Sequence, residues 1–271
     1  MTRKIGILLL VMIMLSVILF GCKSNVQSPF SKKSIVVAGS TSVQPLADDL
    51  AKAYMQKHPD VKIEVQGGGS AVGIKSAREG IADIGTSSRD LKPEEKGLNE
   101  FKIAIDGIAV VVNPQNPIKN LTLQQIRDIY SGKIKNWKDV GGKNAQIVVV
   151  TREEGSGTRG AFEELVMEGQ SITDSAVVQS SNGAVKQSVS QDPNAIGYIS
   201  LGIVDSTVKA VSIEGVDATE ENVKNGKYKI QRPFLFLTKD KPAGLVKDFI
   251  DFALSGEGQA IVEKHHYIKV K

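Results

Sequence analysis

The spacing of apolar and polar positions changes several times along this chain. Residues 5–20 are almost wholly apolar, behind Arg3 and Lys4 and ahead of Gly21-Cys22. Residues 23–33 are polar with no hydrophobic period. From Ser34 onward, short β-branched runs alternate with amphipathic patterns. Residues 35–38 predict a strand and 39–42 the turn after it. Val43, Leu46, Ala47, Leu50 and Tyr54 then mark one face of a helix, with Ser42 a fitting N-cap and Pro45 in the first turn, where no amide is needed. Residues 61–65 alternate as a strand should, and Gly67-Gly68-Gly69-Ser70 opens a second helix through Lys75. Further strands are expected at 108–112, 146–150, 176–179 and 195–199, and a last long helix at about 243–264. Strands alternating with helices at this spacing imply an α/β fold with largely parallel sheets.

Composition narrows the class. The 271 residues are 41% hydrophobic, 24% charged and 5% aromatic, with 26 Gly and one Cys. That excludes a disordered chain, a collagen-like fibre and a disulfide-stapled miniprotein. A net charge of +4 is too slight to argue for nucleic acid. The basic residues before the 5–20 run, and the small residue after it, read as an export signal. The run is shorter than the ~20 residues of a membrane span. Leu19-Phe20-Gly21-Cys22 resembles the lipobox of bacterial lipoproteins, with Phe20 an unusual choice at its position. This reading makes 1–21 a signal peptide and Cys22 the lipidated first residue of the mature protein. Residues 22–33 become a flexible tether, 23–33 spanning about 18 Å.

Three times a β-like run ends in a Gly/Ser/Thr turn that opens a helix: residues 39–42, 67–70 and 155–158. One such turn is an ordinary cap. Three of them, with excess hydroxyls and an arginine alongside, suggest a shared oxyanion site at helix N-termini. Other chemistries fit less well. Gly155-Ser156-Gly157-Thr158-Arg159-Gly160 has the letters of a dinucleotide fingerprint, but Thr151–Glu154 separate it from the strand and it lies mid-chain. Ile74 interrupts the Gly-Lys-Ser order of a P-loop. Ser156 has Glu154 two residues before it where a nucleophile elbow has Gly. His58, His265 and His266 suit neither a general base nor a metal pair, and no cofactor is implied. Lys92–Lys96 reads as a solvated face and Trp137 as a packing anchor. What remains is the stretch from Thr151 to Arg159. There Arg152 supplies a forked cation, Ser156 and Thr158 supply hydroxyls, and Gly157 lets a backbone amide come close.

At these residues the sequence resembles the PstS family, the phosphate-binding proteins of bacterial phosphate ABC importers. The matching segments are Ala38–Ser42, Gly67–Ser70, Asp83–Arg89 and Arg152–Thr158, with Gly197-Tyr198-Ile199 and Arg232-Pro233-Phe234-Leu235. The likeness runs from about Ser34 to Phe252. It implies a two-lobed periplasmic-binding-protein-like α/β fold of the class II type, with an anion cleft between lobes joined by two crossing strands. Lobe 1 would hold 34–111 and 233–271, and lobe 2 112–232, the chain crossing near 107–113 and returning near 231–236. Phosphate would be held by Thr41, Ser42 and Ser70 from one lobe and by Arg152, Ser156, Gly157 and Thr158 from the other. Some members carry an acid where this chain has Ser88; Asp106 is the candidate substitute acceptor for the proton that phosphate keeps and sulfate lacks. The resemblance further implies a monomer that is not an enzyme, anchored to the cell membrane by lipid and partnered by permease subunits. The alternatives are a binding protein for sulfate or molybdate and, more remotely, a secreted phosphatase.

Overall fold

The structure is a computed structural model that describes residues 33–270. The expected signal segment 1–21, Cys22 and the tether up to residue 32 lie outside the described residues. The chain runs through β1 (Ser34–Gly39), α1 (Gln44–Lys57), β2 (Lys62–Gly67), α2 (Ser70–Glu79), β3 (Ile84–Ser87), β4 (Asn99–Val112) and β5 (Asn120–Leu121). It continues through α3 (Leu123–Tyr130), β6 (Val148–Arg152), α4 (Gly157–Phe162), β7 (Val177–Gln179), α5 (Asn182–Gln191) and β8 (Ala195–Ser200). It ends with β9 (Lys209–Ala210), β10 (Ser212–Ile213), α6 (Glu220–Lys224), β11 (Gln231–Thr238), α7 (Gly244–Ala253) and α8 (Gly256–Lys264).

One sheet threads the molecule in the order β2-β1-β3-β11-β4-β8-β6-β7. Its flanks are parallel, β1 with β2 and β3, and β6 with β7 and β8. Its centre is antiparallel, because β4 carries the chain outward and β11 carries it back. The expectation of largely parallel sheets therefore holds for the flanks and not for the middle.

The two largest of four apolar cores among the described residues lie along this sheet. One gathers Ile35, Val37, Leu46, Leu50, Ile84, Ile103, Ala104, Phe234, Phe236 and Phe249. The other gathers Ile108, Val110, Tyr130, Trp137, Phe162, Ile196, Tyr198 and Ile230. Strand β4 changes core between Ala104 and Ile108, and the chain changes back between Ile230 and Phe234. Both crossings meet at one place, where Asp106 is the register partner of Arg232. A third tie crosses there: Ile105 and Ile268 exchange backbone hydrogen bonds of 3.0 and 2.9 Å.

Several local expectations change. Val43, not Ser42, occupies the N-cap of α1, and Ser40 Oγ instead accepts the amides of Ser42 and Val43 at 3.2 and 3.4 Å. The expected C-terminal helix is two helices, broken where Ser255 caps α8 by accepting from the Gly258 amide. The segment read as a solvated face is exposed except at Glu95, whose carboxylate takes both Nη groups of buried Arg89 at 2.6 and 2.7 Å. Trp137, read as a packing anchor, is buried as expected, and its Nε1 donates to the Asn194 carbonyl.

Candidate anion-binding site

Polar side chains of opposite halves converge where the two cores adjoin. From the first half, the turn after β1 supplies Thr41 and Ser42, the start of α2 supplies Ser70, and the end of β3 leads into Ser88. From the second, β6 ends in Arg152 and the turn into α4 carries Ser156, Gly157 and Thr158. All but the half-buried Thr41 are buried. The Ser42 and Thr158 hydroxyls lie 2.9 Å apart across the boundary. The Ser88 amide donates to Ser70 Oγ at 3.0 Å, and the two hydroxyls are 3.4 Å apart. Ser156 Oγ turns inward to cap α4, accepting from the Arg159 amide.

Glycine is required at two of these positions. Gly69 enters α2 with φ at +92°, a left-handed conformation that side chains avoid. Gly157 permits close approach of the halves: a Cβ there would stand 2.1 Å from Ser70 Oγ and 2.6 Å from Ser88 Oγ. Nearby, the Ala71 amide donates to the Gly155 carbonyl at 3.0 Å, a backbone bond between the halves.

Two arginines organise the donors. Arg232 extends from β11, and its Nη1 donates to Ser88 Oγ at 3.2 Å and its Nη2 to Ser42 Oγ at 3.0 Å. Its Nε and Nη2 also donate to Asp106 Oδ2. Arg152, 1% exposed, donates through Nε and Nη2 to Glu153 and to the Gln179 and Ser180 carbonyls. Its Nη1 is buried with no hydrogen-bond partner. The sequence suggested a fork offering two donors; the structure leaves one nitrogen free, because Glu153 and the carbonyls at the end of β7 take the other two.

Asp106 is enclosed by donors. Besides two from Arg232, it accepts from Ser200 Oγ at 2.9 Å and from the Leu201 amide. These four match the acceptor capacity of a carboxylate. Burial pushes its pKa above the ordinary value, against the pull of Arg232. Burial likewise lowers that of Arg232, against the stabilising charge of Asp106, and Arg152 adds like-charge repulsion.

Residue-type reasoning left out three members of this cluster. Arg232 appeared only within a family motif, though a charge directly ahead of the apolar run from Pro233 to Leu237 was a signal. Asn182 and Ser200 gave none: one follows two serines at a helix start, the other ends an apolar strand. Together these side chains bring several hydroxyls and two guanidinium groups into one buried cluster, a donor-rich set that suits a tetrahedral oxyanion. The histidines lie elsewhere, His58 stacked on Tyr54, His265 on Asp49 and His266 near Glu220. Among the described residues no cluster of metal-ligating side chains occurs.

The PBP superfamily domain matches residues 24–257. Over 243 residues the chain is 36% identical to the phosphate-binding protein PstS of Bacillus subtilis (strain 168), covering 88% of this chain and 81% of that one. To PstS of Borreliella burgdorferi it is 31% identical over 280 residues, covering 98% and 99%. A crystal structure from Clostridium perfringens, a phosphate ABC transporter substrate-binding protein with bound phosphate, superposes with a TM-score of 0.85 at 52% identity, covering 88% of this chain and 100% of that one. A phosphate transport receptor from Vibrio cholerae gives a TM-score of 0.73 at 42% identity, over 86% and 99%. With the two-lobed arrangement and the enclosed donor cluster, these likenesses make the chain a member of the PstS family of phosphate-binding proteins, within the PBP superfamily.

Proposed function

We propose that this protein captures inorganic phosphate outside the cytoplasm and delivers it to the permease of an ABC importer, making and breaking no covalent bond. The observation that carries this reading is the buried, unpartnered Arg152 Nη1, on the segment that runs directly into the Ser156–Thr158 turn, whose hydroxyls join those of the opposite half. A buried cation donor without an acceptor is costly, and an oxyanion satisfies it. Thr41, Ser42, Ser70 and Ser88 would donate from lobe 1, and Arg152, Ser156, Gly157 and Thr158 from lobe 2. Lobe 1 is read as 34–111 with 233–271, and lobe 2 as 112–232. Asp106 acts on the anion through Arg232 in this reading, since four donors already surround its carboxylate.

The same proposal places a signal peptide at 1–21, a lipid on Cys22 and a tether at 22–33. The protein works as a monomer beside its permease subunits, with no part for nucleic acid. Among the described residues no helix is long and apolar enough to cross a membrane, so attachment in this reading rests on the lipid.

Calorimetry with phosphate, arsenate and sulfate tests the function. Net contributions of about 1.5–3 kcal/mol per charge-assisted bond sum to micromolar or tighter phosphate binding. Absence of a phosphate signal overturns the reading, and tighter binding of sulfate reassigns the anion.

A further inference from the structure

We infer that Asn182 is a positioning residue of the phosphate site: its carboxamide fixes the Ser42 and Thr158 hydroxyls as donors and does so only when the lobes are together. The inference rests on the phosphate reading above, but its structural part stands on hydrogen-bond direction alone.

Asn182 opens α5 on the second lobe and is buried. Its Oδ1 accepts from the Ser200 amide at 3.0 Å. A backbone N–H can only donate, so this bond settles which end of the carboxamide is oxygen. The Nδ2 end therefore faces the cleft. It donates to Ser42 Oγ at 2.7 Å and approaches Thr41 Oγ1 and Thr158 Oγ1, each at 3.3 Å. Two of these three acceptors belong to the opposite lobe.

A hydroxyl accepts two hydrogen bonds and donates one. Ser42 Oγ already accepts from Asn182 Nδ2 and from Arg232 Nη2, neither of which can accept in return. The Ser42 proton is thereby committed outward, toward Thr158 or toward an anion between them. Thr158 Oγ1 is approached by the same carboxamide, which turns its proton toward the cleft as well. Arg152 holds this device from behind, through the Gln179 and Ser180 carbonyls just before it.

The discriminating variant is Asn182→Asp. It keeps an oxygen for the Ser200 amide but replaces the donor by an acceptor, so a merely structural role survives and the positioning role does not. Stopped-flow phosphate binding to the full chain at pH 8 should show dissociation faster by at least thirtyfold for N182D and fivefold for Asn182→Ala. Association rates should stay within twofold of the parent, because the clamp acts after the lobes meet. The thermal midpoint of N182D without phosphate should stay close to that of the parent protein. Dissociation within twofold of the parent for both variants, or a loss confined to association, overturns the inference. A phosphate-independent arm uses NMR: Asn182 and Thr158 share a lobe, so the Asn182 side-chain amide signals should shift on Thr158→Ala with no phosphate added, and unshifted signals overturn it. Failure of the parent protein to bind phosphate, with that NMR shift intact, instead rejects phosphate as the ligand.

Discussion

Arg232 and Asp106 stand opposite one another on paired strands, and Asp106 Oδ2 accepts from Arg232 Nε and Nη2 at 3.1 and 2.9 Å. Both side chains are essentially unexposed. The pair sits where the chain passes from one core to the other, and the same guanidinium reaches Ser42 and Ser88. One residue thus belongs to both the crossing point and the donor cluster.

Removing one member of such a pair strands a buried charge. Asp106→Asn is expected to destabilise the protein by about 3–5 kcal/mol, read from urea unfolding at pH 7 without phosphate. Phosphate and sulfate affinities should fall together, because Arg232 loses its alignment on the hydroxyls. An unchanged unfolding midpoint would show that Arg232 is neutralised some other way.

Gly157→Ala should leave the fold intact and spoil closure, since the new methyl would meet Ser70 and Ser88. Phosphate affinity is expected to drop more than tenfold. Small-angle scattering should no longer show contraction on adding phosphate, and contraction equal to that of the parent would contradict the steric argument.

Arg152→Ala removes the free donor and the brace on the loop after β7, whereas Thr158→Ala removes one hydroxyl. At about 1.5–3 kcal/mol for a charge-assisted bond and ~1 kcal/mol for a neutral one, the expected losses are at least 10- to 100-fold and about fivefold. Calorimetric titrations matching the parent protein for both would dismiss this site.

Acid stability should carry the signature of Arg89 and Glu95. Arg89 holds the Glu95 carboxyl below its ordinary value. A depressed acid stabilises the fold above its unfolded pKa, and that contribution disappears as pH falls through the folded value. Glu95→Gln should lower the urea midpoint at pH 7 and flatten its decline from about pH 5 to pH 3. Asp106 has the opposite sign, being raised by burial: its contribution is present at low pH and fades as pH rises through its folded value. A Glu95→Gln profile parallel to the parent's would assign the acid limb elsewhere.

The sequence showed the parts of this protein that obey local rules. The strands near 35–38 and 195–199, the helix after Val43 and the hydroxyl-rich turns all depend on neighbours within a few residues. The long strand β4 was only half visible, because residues 99–106 are polar on one face and carry the Asp that meets Arg232 over a hundred residues away. Ser42 looked like a helix cap since nothing nearby revealed that Arg232, Thr158 and Asn182 would claim its oxygen. Asn182 was hidden for the same reason: its partners Thr41 and Ser42 lie about 140 positions earlier. Local chemistry identified the hydroxyls, while the residues that orient them came from long-range pairing.

The pairing of Ile105 with Ile268 bears on how the molecule is made. Every buried residue of the core built on Ile108, Tyr130 and Tyr198 has been synthesised by Ile230, with Ile268 joining its edge later, so that half can largely mature as one continuous stretch. The core built on Ile35 and Leu46 needs Phe234, Phe249 and Tyr267, and must wait for the end of the chain. During vectorial synthesis or export, the first residues of the globular part would be among the last to find their partners. A ribosome that stops short of Gln231 would thus yield one half with its buried core residues all in hand beside one without them.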